Sequence, residues 1–219
     1  FNLTFAAATT LTINAAVTLS DGDLAINQDI TTAGIGILTL STIGQIHTAN
    51  LTMGGTGGVT FSTAQTYNGL TNTITVGNGT TLITTGAWTN TSGNINVGGI
   101  WRCNGVCTKA AGVLTVASGA TFTLGAAFVN TAGNVLFNEN TTLVQNFTLT
   151  SGNFTLAASK TLTLTGGTLA LNSSGTYTAP NTTTIHCNGG NLTMGHTGIY
   201  LFNLTFAAAT TLTINAAVT

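Results

Sequence analysis

The chain of 219 residues carries only three Lys or Arg and four Asp or Glu side chains, which gives 3% charged residues and a net charge of −1. An ordinary globular domain has about 25% charged residues. Three scattered cations cannot form the basic patch that nucleic acids require, so we expect no nucleic-acid partner. The 50 Thr, 28 Gly, 23 Asn and 9 Ser residues make half of the chain. Thr with Val, Ile and Phe between Gly and Asn breaks is typical of a β protein.

Short runs in which apolar residues alternate with Thr follow one another along the whole chain. This period of two predicts half-buried strands, and the Gly, Asn and Ser residues between the runs predict turns. Examples in chain order are Leu11–Ile13, Ile37–Leu40, Val59–Phe61, Thr73–Val76, Val113–Val116, Thr121–Leu124, Phe147–Thr150, Thr161–Thr165 and Thr182–Ile185.

Runs arrive at intervals of roughly seven residues, so three runs make a coil of about 20 residues, near the size of known repeat units. We therefore predict a single all-β domain over residues 1–219, a parallel β-solenoid with a bore of small aliphatic side chains and no helix longer than a turn or two. A β-sandwich is the alternative, although it more typically has longer strands joined by hairpins.

The two ends of the chain carry the same sequence. Residues 1–18 and residues 202–219 both read FNLTFAAATTLTINAAVT. A local duplication would explain this, but we favour a tandem repeat of 201 residues (1–201), with the start of the next copy at 202–219. We expect the two copies to lie at the same place around the solenoid axis, about ten coils or about 48 Å apart.

Several stretches resemble the long β-helical repeats of giant microbial cell-surface proteins, which form stalks, adhesins and extracellular filaments. They are GAWTNTSGNINVGG (86–99), LTVASGATFTLG (114–125), the segment 149–190 and YLFNLTFAAATTLTIN (200–215). The resemblance lies in composition and rhythm. It implies a right-handed parallel β-helix and an extracellular structural role at the cell surface, and it transfers no catalytic residue.

Acidic and histidine side chains give no recognisable active site. Asp21, Asp23 and Asp29 lie close in sequence, but they lack the spacing of a calcium loop. We interpret them as a polar turn, with Ca²⁺ binding as the alternative. His47, His186 and His196 are not spaced as metal ligands, and we expect them at the surface or at strand edges. We therefore predict no catalytic residues, no metal site, no cofactor and no enzymatic activity.

Three cysteines are present, at positions 103, 107 and 187. The Cys103-Asn-Gly-Val-Cys107 turn is short enough for a disulfide that closes a protruding loop. Cys187 would lie about four coils away, at about 20 Å, and cannot join this pair. It is either buried and free or a crosslink between molecules.

Asn-x-Ser/Thr sequons are frequent, and six of them have an apolar middle residue. In a strand this middle side chain would point into the bore, so the Asn and Ser/Thr side chains of these six would both point outward. Sugar at these sites would hydrate a surface with few charges. The best candidates are Asn50, Asn153 and Asn191. The alternative is that Asn and Thr simply fill outer positions. The eleven sequon residues are Asn2, Asn50, Asn78, Asn90, Asn140, Asn146, Asn153, Asn172, Asn181, Asn191 and Asn203.

These features predict a structural segment of an extracellular filament, sheath or stalk. Its partners would be copies of itself and attached glycans, and we expect no membrane span in this segment because no apolar run approaches about 18 residues. An adhesin module that binds glycans or other cells is the alternative. An ice-binding protein, suggested by T-x-T segments, and a polysaccharide-active enzyme are less well supported.

Overall fold

The structure is a computed structural model that describes residues 11–19, 29–41, 45–172, 177–195, 203–207 and 210–214. The described residues form strands and turns without a helix. All strand pairs among them run parallel and stack into a β-solenoid with about 21 residues per turn. This confirms the predicted solenoid and excludes the sandwich, whose hairpins would pair strands antiparallel.

The described strands form three faces around the solenoid, which we number in chain order. Face 1 comprises Leu11–Ile13, Ile30–Thr32, Leu51–Met53, the second halves of Gln65–Val76 and Trp88–Val97, Val113–Val116, Asn134–Phe137, Phe154–Leu156 and Tyr177–Thr178. Face 2 comprises Val17–Leu19, Ile37–Leu40, Gly58–Phe61, Thr81–Thr84, Ile100–Cys103, Thr121–Leu124, Thr141–Leu143, Thr161–Leu164, Thr184–Cys187 and Asn203–Phe206.

Face 3 comprises Gln45–His47, the first halves of Gln65–Val76 and Trp88–Val97, Cys107–Lys109, Phe128–Asn130, Phe147–Leu149, Thr168–Leu171, Asn191–Met194 and Leu212–Ile214. The two long strands continue from face 3 into face 1 and join these faces into one sheet of 16 strands. Face 2 consists of a six-stranded and a four-stranded sheet.

Stacking places side chains of one kind above each other because strands of successive coils pair with a step of about 21 residues. On face 1, Leu51, Ile74 and Ile95 occupy one inner column and are 1% exposed. Their apolar surface drives the coils together, and the parallel ladder pairs the backbone groups that this burial removes from water.

We predicted from the sequence that small aliphatic side chains fill the bore. The structure shows that they do not fill it alone. A chain of aromatic rings runs through its middle coils, because aromatic side chains recur at inner positions of all three faces. Phe61 and Trp88 have ring centroids 4.9 Å apart, and Phe128 and Phe147 stack at 4.9 Å with planes only 10° apart. Such contacts add to the stabilisation that burial of apolar area provides.

Glycines form a column of their own at the corner between face 3 and face 1. Gly93, Gly112, Gly133 and Gly152 all have a positive φ, between 73° and 89°. A Cβ atom at Gly112, Gly133 or Gly152 would collide with the carbonyl oxygen of the glycine one coil earlier. Both the backbone conformation and the close stacking therefore require glycine at this corner.

The two copies of the terminal sequence do not lie at the same place around the axis. Leu11–Ile13 pairs with Ile30–Thr32 on face 1, whereas the identical Leu212–Ile214 pairs with Asn191–Met194 on face 3. We predicted that the two copies lie at the same position around the axis, and this is wrong. The 201 residues between them do not correspond to a whole number of coils.

Candidate functional site

Columns of Thr side chains run along the outside of the solenoid. On face 1, the middle residue of each strand points outward, and seven of nine such positions are Thr. The column is Thr12, Thr31, Thr52, Thr75, Asn96, Thr115, Leu136, Thr155 and Thr178. This outer column therefore carries no charge and is rich in hydroxyl and methyl groups.

The T-x-T segments do not form a wider array. Thr73 and Thr75 lie on face 1, Thr121 and Thr123 on face 2, and Thr148 on face 3. On face 2, the neighbours of the Thr121–Thr123 segment in the preceding coil are Ile100 and Arg102. These segments are thus separated on different faces or bordered by other residue types, and together they do not make the regular two-column array that an ice surface would require.

Asn residues at strand entrances connect neighbouring coils. The Oδ1 atoms of Asn50, Asn140 and Asn191 accept hydrogen bonds of 2.8 to 3.0 Å from the backbone N–H groups of Thr73, Thr161 and Thr211. Asn146 accepts in the same way from Thr168, at 2.9 Å. These four sequon residues therefore have a structural role, since each satisfies a backbone donor one coil further along the axis.

The sequon Asn residues differ in exposure. Asn50 and Asn191 are half-buried, and the Nδ2 atom of Asn50 donates to the carboxylate of Asp29 at 3.1 Å. Asn2 lies outside the described residues. The exposed sequon residues are Asn78, Asn140, Asn146, Asn153, Asn172, Asn181 and Asn203.

Asn90 is a glycosylation candidate from the sequence, but its side chain does not reach the surface. Its side chain is 0% exposed and its Nδ2 atom donates to the carbonyl oxygen of Gly93 at 3.3 Å. The position is the last of its strand segment before the chain turns from face 3 to face 1, where an inward amide reaches the turn carbonyl. No attached sugar fits at this buried site.

Asn90 belongs to a buried polar column that the sequence analysis missed. We use this name for five inner side chains in successive coils at the corner between faces 3 and 1, all at most 2% exposed. They are His47, Tyr67, Asn90, Lys109 and Asn130. In the following coils the column continues with Leu149, Leu171 and Met194, so the polar side chains of this column are confined to one part of the solenoid.

Lys109 is a buried cation without a carboxylate partner among the described residues. Its Nζ atom donates to the carbonyl oxygens of Gly112 (2.7 Å) and Ala132 (3.1 Å) and to Oδ1 of Asn130 (3.2 Å). All three ammonium protons are used. Burial nevertheless lowers the pKa of Lys109 from 10.5 to about 8.

A shared motif explains how Lys109 fits between two Asn residues. Asn90, Lys109 and Asn130 each donate to the carbonyl oxygen of the residue three positions ahead, which is one of the corner glycines: Gly93, Gly112 and Gly133. The signal that could have revealed the column is therefore an Asn or Lys followed three residues later by Gly, recurring in successive coils.

His47 is also in the bore, so its predicted surface position is wrong. Its Nε2 atom lies 2.9 Å from Oε1 of Gln65, and its ring centroid lies 5.1 Å from that of Phe61. Burial lowers the pKa of His47 to about 4, although the hydrogen bond to Gln65 acts in the opposite direction. His186 is half-buried on the outer side of face 2, and His196 lies outside the described residues.

The cysteines lie inside the bore, and the first two flank the corner between faces 2 and 3. Cys103 and Cys107 are 0% exposed, their Cα atoms are 6.6 Å apart, and the structure pairs them in a disulfide. The bonded sulfurs are inside, and only the intervening turn reaches the surface. Cys187 is buried and free, and burial raises the pKa of its thiol.

The acidic residues do not assemble into a site in the described part of the chain. Asp21 and Asp23 lie outside the described residues, and Asp29 contacts Asn50. Glu139 accepts hydrogen bonds from the backbone N–H groups of Gly119 (2.7 Å) and Asn140 (2.8 Å) and pairs with Lys160 at 3.2 Å. These contacts, led by the Gly119 N–H, lower the pKa of Glu139 to about 2.

Across the described segments, no three His, Cys, Asp or Glu side chains come close enough together to hold a metal ion. None of these segments forms an apolar helix of membrane-spanning length. Comparisons of the chain with protein-family models, with curated proteins and with solved structures gave no significant match. The likeness to cell-surface β-helical repeats is therefore supported at the level of the fold, a β-solenoid, and the family remains a prediction.

Proposed function

We propose that the chain is a structural segment of an extracellular filament, sheath or stalk that continues end to end through its strand edges. The observation that carries this proposal is the stacking of parallel strands along one axis, with the sequence of its first described strand recurring in its last, Leu11–Ile13 and Leu212–Ile214. A stack of this kind lengthens by adding strands at its ends without changing its cross-section.

The strand Leu212–Ile214 supports this proposal because it continues the inner columns of the preceding coils. Leu212 and Ile214 pair in register with Leu192 and Met194, which are at most 4% exposed. The edge of a parallel strand with apolar side chains is a template for a further strand. A following coil would cover Leu212 and Ile214 as the present coils cover Leu192 and Met194.

The surface chemistry of the outer faces agrees with a role in assembly. The described outer columns carry Thr, Asn, some aliphatic residues and few charges, so neighbouring copies would not repel each other. We further propose that glycans are attached to exposed sequons such as Asn153, with Asn50 and Asn191 as half-buried candidates. Sugars there would control lateral contacts between filaments.

Electron microscopy and fibre diffraction of the native material test the filament proposal. We expect filaments with a meridional reflection at about 4.8 Å, because the strands lie across the axis. A monomer that stays monodisperse at high concentration would refute end-to-end assembly and favour an adhesin module. Intact mass tests glycosylation separately, since an unmodified chain has a mass of 22.0 kDa.

A further inference from the structure

The two copies of the terminal sequence show the same strand with two different neighbours. At one end of the solenoid, Leu11–Ile13 has the following coil stacked on it, in the form of Ile30–Thr32. At the other end, Leu212–Ile214 is stacked on the preceding coil, in the form of Asn191–Met194. Both steps are close to the average coil of about 21 residues.

The identity of the two strands shows which residues fit over the second one. Ile13 is only 4% exposed where the following coil is stacked on it. Ile214 is the same residue in the same strand sequence, so the residues that cover Ile13 are the ones that fit over Ile214. A second copy of this sequence supplies them, because its Ile30–Thr32 segment follows the terminal sequence at the correct spacing.

Counting along the ladders gives the rotation that this continuation requires. Each pairing between neighbouring strands advances the chain by one coil. Four such pairings lead from Leu11 to Ile95 on face 1. Six lead from Trp88 to Leu212 on face 3. Trp88 and Ile95 lie on one strand, with Trp88 one face earlier in the coil. The two copies are thus separated by ten coils less one face, or nine and two-thirds coils.

We propose that successive copies of this sequence join as one continuous solenoid in which each copy begins two-thirds of a turn further around the axis than the copy before it. This inference rests on the proposed end-to-end continuation. Each copy extends the filament by about 46 Å, and the original orientation returns after three copies, at about 139 Å.

The rotation determines how the filament presents its surface to partners. The outer column of face 3, which ends with Thr193 and Thr213, continues into the face 1 column of the next copy, starting at its Thr31. Every surface group, including each exposed sequon, therefore recurs on all three sides of the filament. Such a filament contacts its neighbours through equivalent surfaces in three directions, which favours bundles over flat sheets.

Disulfide trapping in the 219-residue chain tests the position of the second copy. Thr193 and Thr213 are neighbours on the outside of face 3, so T193C/T213C brings two Cα atoms within the range of a disulfide. Thr205 is nearer in sequence but lies on face 2, so T205C/T213C is the negative control. T89C/T108C is the positive control on face 3. All variants carry Cys187→Ala.

We expect the crosslinked fraction of T193C/T213C to match the positive control and to exceed that of T205C/T213C by about tenfold, since only the former pair meets the distance requirement. Failure of T193C/T213C to crosslink while T89C/T108C does so would overturn the inference. Efficient crosslinking of T205C/T213C would do the same.

A longer chain, in which residues 1–201 are followed by the full sequence, tests continuation. The Cys introduced at Thr213 should then crosslink either to Cys at Thr193 or to Cys at the second copy's Thr31. If both crosslinks form but the native material contains no filaments, the rotation is supported and the filament function is refuted. Filaments with a simple axial repeat of about 48 Å and no orientation period at about 139 Å would refute the rotation alone.

Discussion

Replacing the buried cation Lys109 by Asn is expected to stabilise the protein. The substitution extends the run of amides formed by Asn90 and Asn130 in the neighbouring coils. An Asn at this position can donate to the carbonyl oxygen of Gly112, as its two neighbours donate to Gly93 and Gly133. The side chain loses one heavy atom, so the cavity that it leaves is small.

The magnitude follows from the pKa of Lys109. Its fall from 10.5 to about 8 means that the folded state penalises the ammonium form. At about 1.36 kcal/mol for each pKa unit, the penalty at neutral pH is about 3 kcal/mol. A loss of about 1 kcal/mol from the cavity and the weaker contacts leaves a net gain of about 2 kcal/mol for Lys109→Asn at pH 7.

The same pKa difference determines how the free energy of unfolding of the wild-type protein changes with pH. Between pH 8 and 10.5 the unfolded chain holds the Lys109 proton and the folded chain has released it. The unfolded state therefore binds more protons, and wild-type stability rises with pH across this window. In Lys109→Asn this contribution is absent. We expect the difference in free energy of unfolding between the two proteins to shrink from pH 8 and to vanish or reverse near pH 10.5.

Urea unfolding followed by far-UV circular dichroism from pH 6 to 11 measures this difference. Arg102→Gln is the matched control because it removes one cation from an exposed position on face 2. Lys109→Met removes the charge but leaves the carbonyl oxygen of Ala132 and the Oδ1 atom of Asn130 without their ammonium donor, whereas the carbonyl oxygen of Gly112 keeps the backbone N–H of Asn134 at 2.9 Å. An Asn amide could still reach the carbonyl of Ala132, as the amide of Asn130 reaches that of Ser151 at 2.7 Å. Lys109→Met should therefore be about 1–3 kcal/mol less stable than Lys109→Asn. A difference between wild type and Lys109→Asn that stays constant from pH 7 to 10.5 would refute the reasoning.

Three further predictions concern other buried or paired groups. Because the pKa of His47 is lowered to about 4 in the folded state, the unfolded chain binds a proton first as the pH falls. The free energy of unfolding should therefore decrease between pH 6.5 and 4. His47→Phe should reduce this pH dependence in thermal melts. Glu139→Gln should remove a stabilising contribution that is present above pH 4.5 and lost towards pH 2; equal acid profiles for the two proteins would contradict this. Thiol labelling of unreduced protein should modify no cysteine when it is folded and only Cys187 after denaturation, whereas labelling at Cys103 or Cys107 would exclude their disulfide.

The strands and their stacking could be predicted from the sequence because both depend on local pattern. The alternation in Val113–Val116 or Thr161–Leu164 marks an inner and an outer side within one short run, and the spacing of the runs gives a coil length close to that of the structure. Parallel stacking then follows, because coils of similar length place like residues above one another.

The buried polar column could not be predicted in the same way. Asn90 and Lys109 occupy inner positions that a local pattern assigns to apolar residues, and their burial is tolerated because partners lie in the turn ahead or one coil away. The sequon at Asn90 carries no information on these partners, so its choice as a glycosylation candidate did not anticipate its burial. The rotation between the terminal copies was missed for a related reason: turns of different length make the coil steps unequal, and these small differences add up to one face between the two copies.

The unequal coil steps have a consequence for a filament built from this sequence. A period that closed on a whole number of coils would keep each charged or polar interruption of the Thr columns on the same side of the fibre in every copy. Arg102 and His186, for example, would always lie on face 2. Neighbouring fibres would then differ in affinity from side to side. Because the period falls one face short of ten coils, the same interruptions are distributed over three sides. The hydrogen bonds and apolar contacts between successive coils are of the same kind at each junction, so axial cohesion does not depend on which face a copy begins with.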